Sequence, residues 1–490
     1  MDDTRTHEHE IVIIGSGFGG LCTAIRLLER GISDIRILER RDFMGGTWCQ
    51  NRYPGAAVDV HSPLYSLSSE PWDWSQMFAE GDELEAYTHA VIDKHQLRER
   101  TVTNANVRSV TWDDAKRRWV IETNGAGTFV ARVVVNASGP LSTPVVPAFP
   151  GRDSFRGAAF HTNAWDHTVD HRGKRVAIVG SGASAAQVIP AIAPDVEHLH
   201  VFQRTPHWVL PRPDRRFSTI ERSLLKLRPL SKLLRWSIYW KLESRVVGFK
   251  YSPLALDLFA QRQAVAHLQD QVPDDELRRK LTPDYTIGCK RVILSSTLYP
   301  ALGRDNVTLH DKTDGIERID ETGIWTAQGE HVDLDVIVWA TGYDATDAVI
   351  SYPVVGRGGA TLAGFWSEFP RAYLGTCIPG FPNFFMLTGP NTGIGHTSAL
   401  FVIESQLEYV LETLSRLRAS GQDTVEVRPE AEAEYTRMIH REMDKTVWKN
   451  GGCQSWYHGK SGHVIAMFPG FSFMYRAKAR RFRPEHHRFA

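Results

Sequence analysis

The hydrophobic pattern of the chain states the same phrase twice. Ile11-Val12-Ile13-Ile14 is an unbroken apolar run, the mark of a parallel strand covered on both faces. Gly15-Ser16-Gly17-Phe18-Gly19-Gly20 follows at once. Leu21, Ala24, Ile25, Leu27 and Leu28 then recur at helical spacing, and Gly31 is placed to end that helix. Residues 35–38 read as the next strand. The second statement runs from a strand over 175–179, through Gly180-Ser181-Gly182-Ala183-Ser184-Ala185, to a helix over 186–192 and a strand over 199–202. Two further apolar stretches, 132–139 and 332–342, read as strands that stop at small-residue turns. The turns are Asn136-Ala137-Ser138-Gly139 and Ala340-Thr341-Gly342. Late in the chain a glycine-rich turn over 388–396 precedes Leu400, Ile403, Leu407, Val410, Leu411 and Leu414, again at helical spacing.

Strand, glycine-rich turn and helix in register make a dinucleotide-binding unit. Glycines let the backbone turn tightly and approach a pyrophosphate at the helix N-terminus. Gly15, Gly17, Phe18 and Gly20 form the first such turn, and Gly180, Gly182 and Ser184 the second, where Ala185 replaces the last glycine. The units differ at one telling offset. In the first, Glu39 falls 39 − 15 = 24 residues after the first glycine, placed to accept hydrogen bonds from a ribose diol. In the second, the residue at 180 + 24 = 204 is Arg204, followed by Thr205. An arginine there suits a 2′-phosphate through charge-assisted bonds. The pair predicts FAD in the first unit and NADPH in the second. The fold class expected is α/β, with two Rossmann-like domains in a glutathione-reductase-like arrangement. Residues 1–145 and 342–490 would form a split FAD domain. Residues 146–341 would form the NADPH domain, with a helical insertion over about 215–290.

Composition narrows the class without changing it. The 490 residues carry 57 Lys+Arg against 57 Asp+Glu, which argues against nucleic acid as a bulk electrostatic partner. With 42% apolar and 23% charged residues the chain is ordinary for a globular protein. Cys22, Cys49, Cys289, Cys377 and Cys453 are scattered and form no C-x-x-C pair, so a dithiol reductase is excluded and reduced thiols in a cytoplasmic protein are expected. No metal cluster is evident from spacing. Residues 1–10 lack a basic and then apolar leader pattern, and no uncharged apolar run reaches the ~18 residues of a membrane span.

Two denser motifs carry a resemblance. Phe155, Gly157, His161, Trp165 and Asp166 fit F-x-G-x-x-x-H-x-x-x-W followed by Pro or Asp. Gly45, Gly46, Trp48, Tyr53, Pro54, Gly55 and Asp59 fit G-G-x-W, then Y-P-G, then Asp. With these the chain resembles the type I Baeyer–Villiger monooxygenases, class B flavoprotein monooxygenases, from about residue 10 to 475. The resemblance implies FAD, NADPH and O2, and conversion of a ketone to an ester or lactone through a flavin C4a-peroxide. It implies that Arg291, within Gly288-Cys289-Lys290-Arg291, is the active-site arginine, paired with Asp59. Val292 stands where the family usually has proline. It implies that Lys290 helps Arg204 with the 2′-phosphate and that Trp456 closes over NADP. Gly46, Thr47, Trp48, Ala340, Thr341 and Gly342 are assigned to cofactor binding. His161 and Trp165 are expected in a linker, with packing or domain-motion roles. The late helix is expected to aim its N-terminus at the flavin.

One stretch stands outside this scheme. Residues 222–250 mix Arg and Lys with Leu, Trp and Tyr. We read it as a helical insertion that shapes substrate access, with contact to a membrane surface as the lesser reading. The competing activities are N- or S-oxygenation of amines or sulfides, and an NADPH-sensing flavoprotein that acts by binding a partner.

Overall fold

Thr6–Ile14 lies inside an eight-stranded sheet, parallel to Ile35–Leu38 on one side and to Thr128–Asn136 on the other. The computed structural model describes residues 5–346 and 349–490; residues 1–4 of the polar N-terminal stretch lie outside the described residues. Ile11, Val12 and Ile13 are fully buried, as the unbroken apolar run requires. Thr128–Asn136 changes partner along its length. Residues 128–131 pair antiparallel with Arg118–Asn124, and residues 134–136 pair in parallel with Phe384–Met386. This sheet therefore draws strands from both ends of the chain. Helix Phe18–Leu28 covers it and packs against the late helix Ala399–Ser420.

A second sheet has five strands, all parallel, in the order Val307–His310, His198–Phe202, Arg175–Val179, Val336–Trp339, Ala158–His161. Helix Ala183–Ile192 packs on it through Ala185, Val188, Ile189 and Ile192. Helices Thr219–Leu225, Arg228–Glu243, Arg262–Gln271 and Asp275–Leu281 fall between its strands in sequence. The two segments that connect the sheets run antiparallel, side by side. Val145 N–H donates to the Gly342 carbonyl at 3.0 Å, and Asp344 N–H to Thr143 at 3.0 Å.

Three sequence expectations change. The run over 332–342 is two strands, because the chain leaves a small antiparallel hairpin at His331–Asp333 and enters the parallel sheet at Val336–Trp339. The break falls at Asp335, whose carboxylate accepts from the Arg175 backbone at 2.9 Å and from its guanidinium at 3.2 Å. The stretch 155–166 is more than a linker: Ala158–His161 is the edge strand of the second sheet. At four residues it is too short to show a period. Finally, the five cysteines are not all reduced. Cys289 and Cys453 form a disulfide across a sequence separation of 164, while Cys22, Cys49 and Cys377 are free and buried. Spacing rules do not see such a pair. The fold makes it by joining two loops, with Thr286 N–H donating to the Gly451 carbonyl at 3.0 Å. No helix among the described residues is long and apolar enough to cross a membrane.

Candidate active site

Each glycine-rich turn rests on the small-residue turn of a neighbouring strand. Gly15 has φ +103°, and a Cβ on it would lie 2.6 Å from the Ala137 carbonyl oxygen. Gly180 has φ +120°, and a Cβ on it would lie 2.3 Å from the Ala340 carbonyl oxygen. Both positions need glycine for conformation and for space. Helices Phe18–Leu28 and Ala183–Ile192 then begin at Gly17 and Gly182 with no side-chain cap and no acid in the first turn. Their first N–H groups face outward unclaimed by side chains, which suits an anionic pyrophosphate at each. A Cβ on Gly182 would meet nothing within 4 Å, so the second cradle is open.

The acid and base at the matched offset sit differently. Glu39 is buried, and one carboxylate oxygen accepts from Ser16 N–H at 3.0 Å and Ser16 O–H at 2.6 Å. Its other oxygen accepts from Arg41 N–H at 3.0 Å. Glu39 thus holds the first turn in shape as well as lying at its mouth. Arg204 is exposed, and the adjoining Thr205 carbonyl accepts from Ser181 O–H of the second turn at 2.8 Å. Burial and then the charge of Arg204 lower the Lys290 ammonium below its ordinary value, so the two cations share one neighbourhood. Lys290 Nζ lies 4.9 Å over the Tyr285 ring. Nearby His207 is pushed down to about 4 by burial and then by Lys290, which leaves it neutral and the positive charge to Arg204 and Lys290.

A single segment, 45–59, bridges the two units. Gly46 has φ +63°, and a Cβ on it would lie 2.6 Å from Gly17 Cα of the first turn. Thr47–Gln50 is a one-turn helix, and Trp48 Nε1–H donates to Tyr65 Oη at 3.1 Å. Gln50 donates to the Asn163 carbonyl at 2.9 Å, tying this segment to the 155–166 motif. Tyr53 O–H donates to Gln187 at 2.9 Å, and a Cβ on Gly55 would lie 2.5 Å from the Gln187 carbonyl, both on the helix of the second unit. The segment ends at Asp59, whose carboxylate accepts from Arg291 Nε–H at 2.5 Å although the residues are 232 apart in sequence.

Charge holds this pair. Burial pushes the Asp59 carboxyl up, but the charge and hydrogen bond of Arg291 outweigh it and hold it below the usual carboxylate range. The Asp59 charge raises the Arg291 guanidinium above its ordinary value against burial. Sequence reasoning missed three residues around it. Tyr65 and Tyr457 both feel the Arg291 charge, and Tyr457 is pushed up to about 12, chiefly by burial. Arg212 is close enough to lower Asp59 as well. Only Tyr457 had a sequence signal, as the neighbour of Trp456, whose half-exposed ring lies edge-on to it at 4.6 Å.

The 155–166 motif packs beside the crossover. Phe155 joins the core under the second sheet, and a Cβ on Gly157 would lie 2.4 Å from the Asp335 carbonyl. His161 is buried, accepts from Asn163 N–H at 3.1 Å and meets the Tyr343 ring edge at 5.6 Å. Trp165 packs edge-on to Phe160 at 5.1 Å, and Asp166 accepts from Thr168. Ala340 N–H donates to Val179 at 2.9 Å, and Thr341 O–H donates to Val145 across the crossover. The turn over 388–396 is pinned by the irregular segment 464–468, with Gly393 N–H donating to the Ala466 carbonyl at 2.7 Å and an isolated bridge between Gly393 and Met467. Helix Ala399–Ser420 starts after it, capped by Ser398. Cys49, Glu85 and His89 also converge, their ligand atoms within 4.8 Å of one another. Arg52 pairs with Glu85, and Arg98 lies 3.4 Å from His89, so the chain's own cations already occupy that cluster.

The chain is similar to known proteins over nearly its whole length. The pyridine nucleotide-disulphide oxidoreductase family matches residues 12–226. A Baeyer–Villiger monooxygenase of Pseudomonas aeruginosa is 43% identical over 476 residues, covering 96% of this chain and 90% of that protein. A Baeyer–Villiger monooxygenase of Streptomyces coelicolor is 43% identical, covering 97% of this chain and 92% of that one. Among solved structures, an oxidized steroid monooxygenase bound to NADP superposes with a TM-score of 0.88 at 32% identity, covering 98% of this chain and 99% of the other.

Proposed function

The chain belongs to the Baeyer–Villiger monooxygenases, and from that premise we propose that it inserts an oxygen atom from O2 beside a ketone carbonyl, giving an ester or lactone. It is an FAD- and NADPH-dependent monooxygenase. The observation that carries the reading is the Asp59–Arg291 pair, set where the bridging segment passes from one nucleotide unit to the other.

FAD, when bound, supplies hydride acceptance from NADPH and the activation of O2. The chain supplies binding, orientation and charge. Gly15, Gly17, Phe18 and Gly20 present the first helix N-terminus to the FAD pyrophosphate, and Glu39 takes the ribose. Gly46, Thr47 and Trp48 close that site from the bridging segment. Gly180, Gly182 and Ser184 take the NADPH pyrophosphate, with Ala340, Thr341 and Gly342 behind them. Arg204, Thr205 and Lys290 would take the 2′-phosphate, and Trp456 would close over the bound NADP. Arg291 keeps its charge at any working pH, so it holds negative charge that develops beside it without exchanging a proton. Asp59 fixes the guanidinium from one side and offsets part of its charge. Phe155, Gly157, His161, Trp165 and Asp166 act on the crossover rather than on reacting atoms. Residues 1–145 and 342–490 are the FAD domain and 146–341 the NADPH domain, supported by the strand content of the two sheets. We assign the chain to the cytoplasm, where NADPH is supplied.

The test is product analysis. Purified protein with FAD, NADPH and O2 is given ketones and sulfides, and products are identified by mass spectrometry. Esters or lactones support the proposal. Sulfoxides without any ester make it a heteroatom oxygenase instead, and no NADPH consumption with any substrate makes it a partner-binding flavoprotein.

A further inference from the structure

Helix Arg228–Glu243 is apolar on two opposite faces. Ile238, Tyr239 and Leu242 are buried against the body of the protein, and Glu243 is buried with them. Its carboxylate accepts from Ser472 O–H at 2.7 Å and pairs with His396 at 3.2 Å, which bolts this face in place. The outer face carries Leu230, Leu233, Trp236 and Trp240, which recur every three or four residues and so form one stripe. Leu233 is 66% exposed and Trp236 is 61% exposed. An isolated exposed apolar residue needs no account, but a contiguous patch of this kind does.

The patch is contiguous across elements. Trp236 meets Trp240 at 5.8 Å, Trp240 meets Phe473 at 5.8 Å, Phe473 stacks on Phe471 at 5.0 Å, and Phe471 stacks on Tyr251 at 5.9 Å. Ile220, Leu224 and Leu227 extend the exposed apolar surface on the preceding helix and turn, and Met474 on helix Ser472–Arg480. Lys232 and Lys241 lie at the two margins of the stripe by helical geometry. The only acid of this helix is the buried Glu243. Arg228, Lys232, Lys241 and Lys478 are exposed and make no ion pair among the described residues, whereas Arg222 and Lys226 are paired with Asp73.

An exposed tryptophan-rich stripe between unpaired cations matches one kind of surface. We propose that this face docks on an anionic lipid bilayer, the aromatic rings entering the headgroup boundary and the cations meeting lipid phosphates. A second copy of the chain fits less well, since a two-fold contact through this face would set the unpaired cations against themselves. The reading is independent of which ketone the enzyme takes.

The experiment is co-sedimentation of the FAD-loaded full chain with vesicles of phosphatidylglycerol and phosphatidylcholine, and with pure phosphatidylcholine. The wild type sediments with the anionic vesicles, and high salt weakens it by roughly tenfold or more. Trp236→Ser with Trp240→Ser abolishes sedimentation while FAD content and NADPH oxidation stay unchanged, and Lys232→Gln with Lys241→Gln weakens it by roughly tenfold. Failure of the wild type to bind anionic vesicles at low salt overturns the proposal. So does undiminished binding by the tryptophan pair. A concentration-dependent dimer that the tryptophan pair dissolves, without vesicle binding, would assign the face to a second copy.

Discussion

The two nucleotide units are built on one plan and then diverge at a few atoms. Both first glycines press on the carbonyl of a small-residue turn, Gly15 on Ala137 and Gly180 on Ala340. Both helices begin uncapped. Yet the first cradle is crowded: a Cβ on Gly20 would lie 1.9 Å from the Gly15 carbonyl oxygen, and Gly46 lies against Gly17. The second holds Ala185 at the equivalent place and stays open at Gly182. A buried carboxylate stands at the first ribose offset and an exposed guanidinium at the second. The plan says that a dinucleotide binds. The divergence says which one, and how tightly the backbone closes on it.

That contrast can be broken most sharply at its glycines. Gly20→Ala puts a methyl into backbone that cannot move cheaply, so the purified variant should contain essentially no FAD, read from its flavin absorbance. Ala185→Gly is the matched control in the second unit and should cost about 1 kcal/mol or less, seen as a small fall in Tm. Arg204→Ala removes a charge-assisted contact of about 1.5–3 kcal/mol, so KM for NADPH should rise roughly ten- to a hundredfold while KM for NADH stays put. Equal losses with both coenzymes would remove the 2′-phosphate assignment. The smallest effect concerns Lys290. Its lowered pKa brings loss of its charge closer to working pH, so NADPH affinity should decline on the alkaline side earlier than an ordinary lysine allows. Binding of the phosphate favours the charged form and pushes the pKa back up, and Lys290→Arg should flatten the decline. A profile unchanged by that substitution would leave Lys290 outside the phosphate site.

Much of this was legible in the sequence because it rests on local order. The strand–turn–helix units need only neighbours in sequence, and the offset that separates Glu39 from Arg204 is a matter of counting. The bridging role of 45–59 was half legible: the motif marked the residues, but the contacts of Gly55 and Tyr53 with Gln187 depend on two distant units meeting. The Cys289–Cys453 bond, the strand status of Ala158–His161 and the convergence of Tyr65 and Tyr457 on Arg291 were not legible. Each arises from loops or short edges that carry no period of their own. The exposed stripe of Arg228–Glu243 was visible as composition, but a helix apolar on two faces reads the same as one that is wholly buried until its neighbours are known.

The role given to the Arg291 side chain is tested most directly by its removal. Arg291→Ala should be purified with its FAD content intact and assayed with NADPH, O2 and a ketone that the wild type converts. Ester formation should fall by on the order of a thousandfold, the scale of removing a group that stabilises developing negative charge. Ester formed at the wild-type rate by that variant would contradict it, and would return the Asp59–Arg291 pair to a purely structural role.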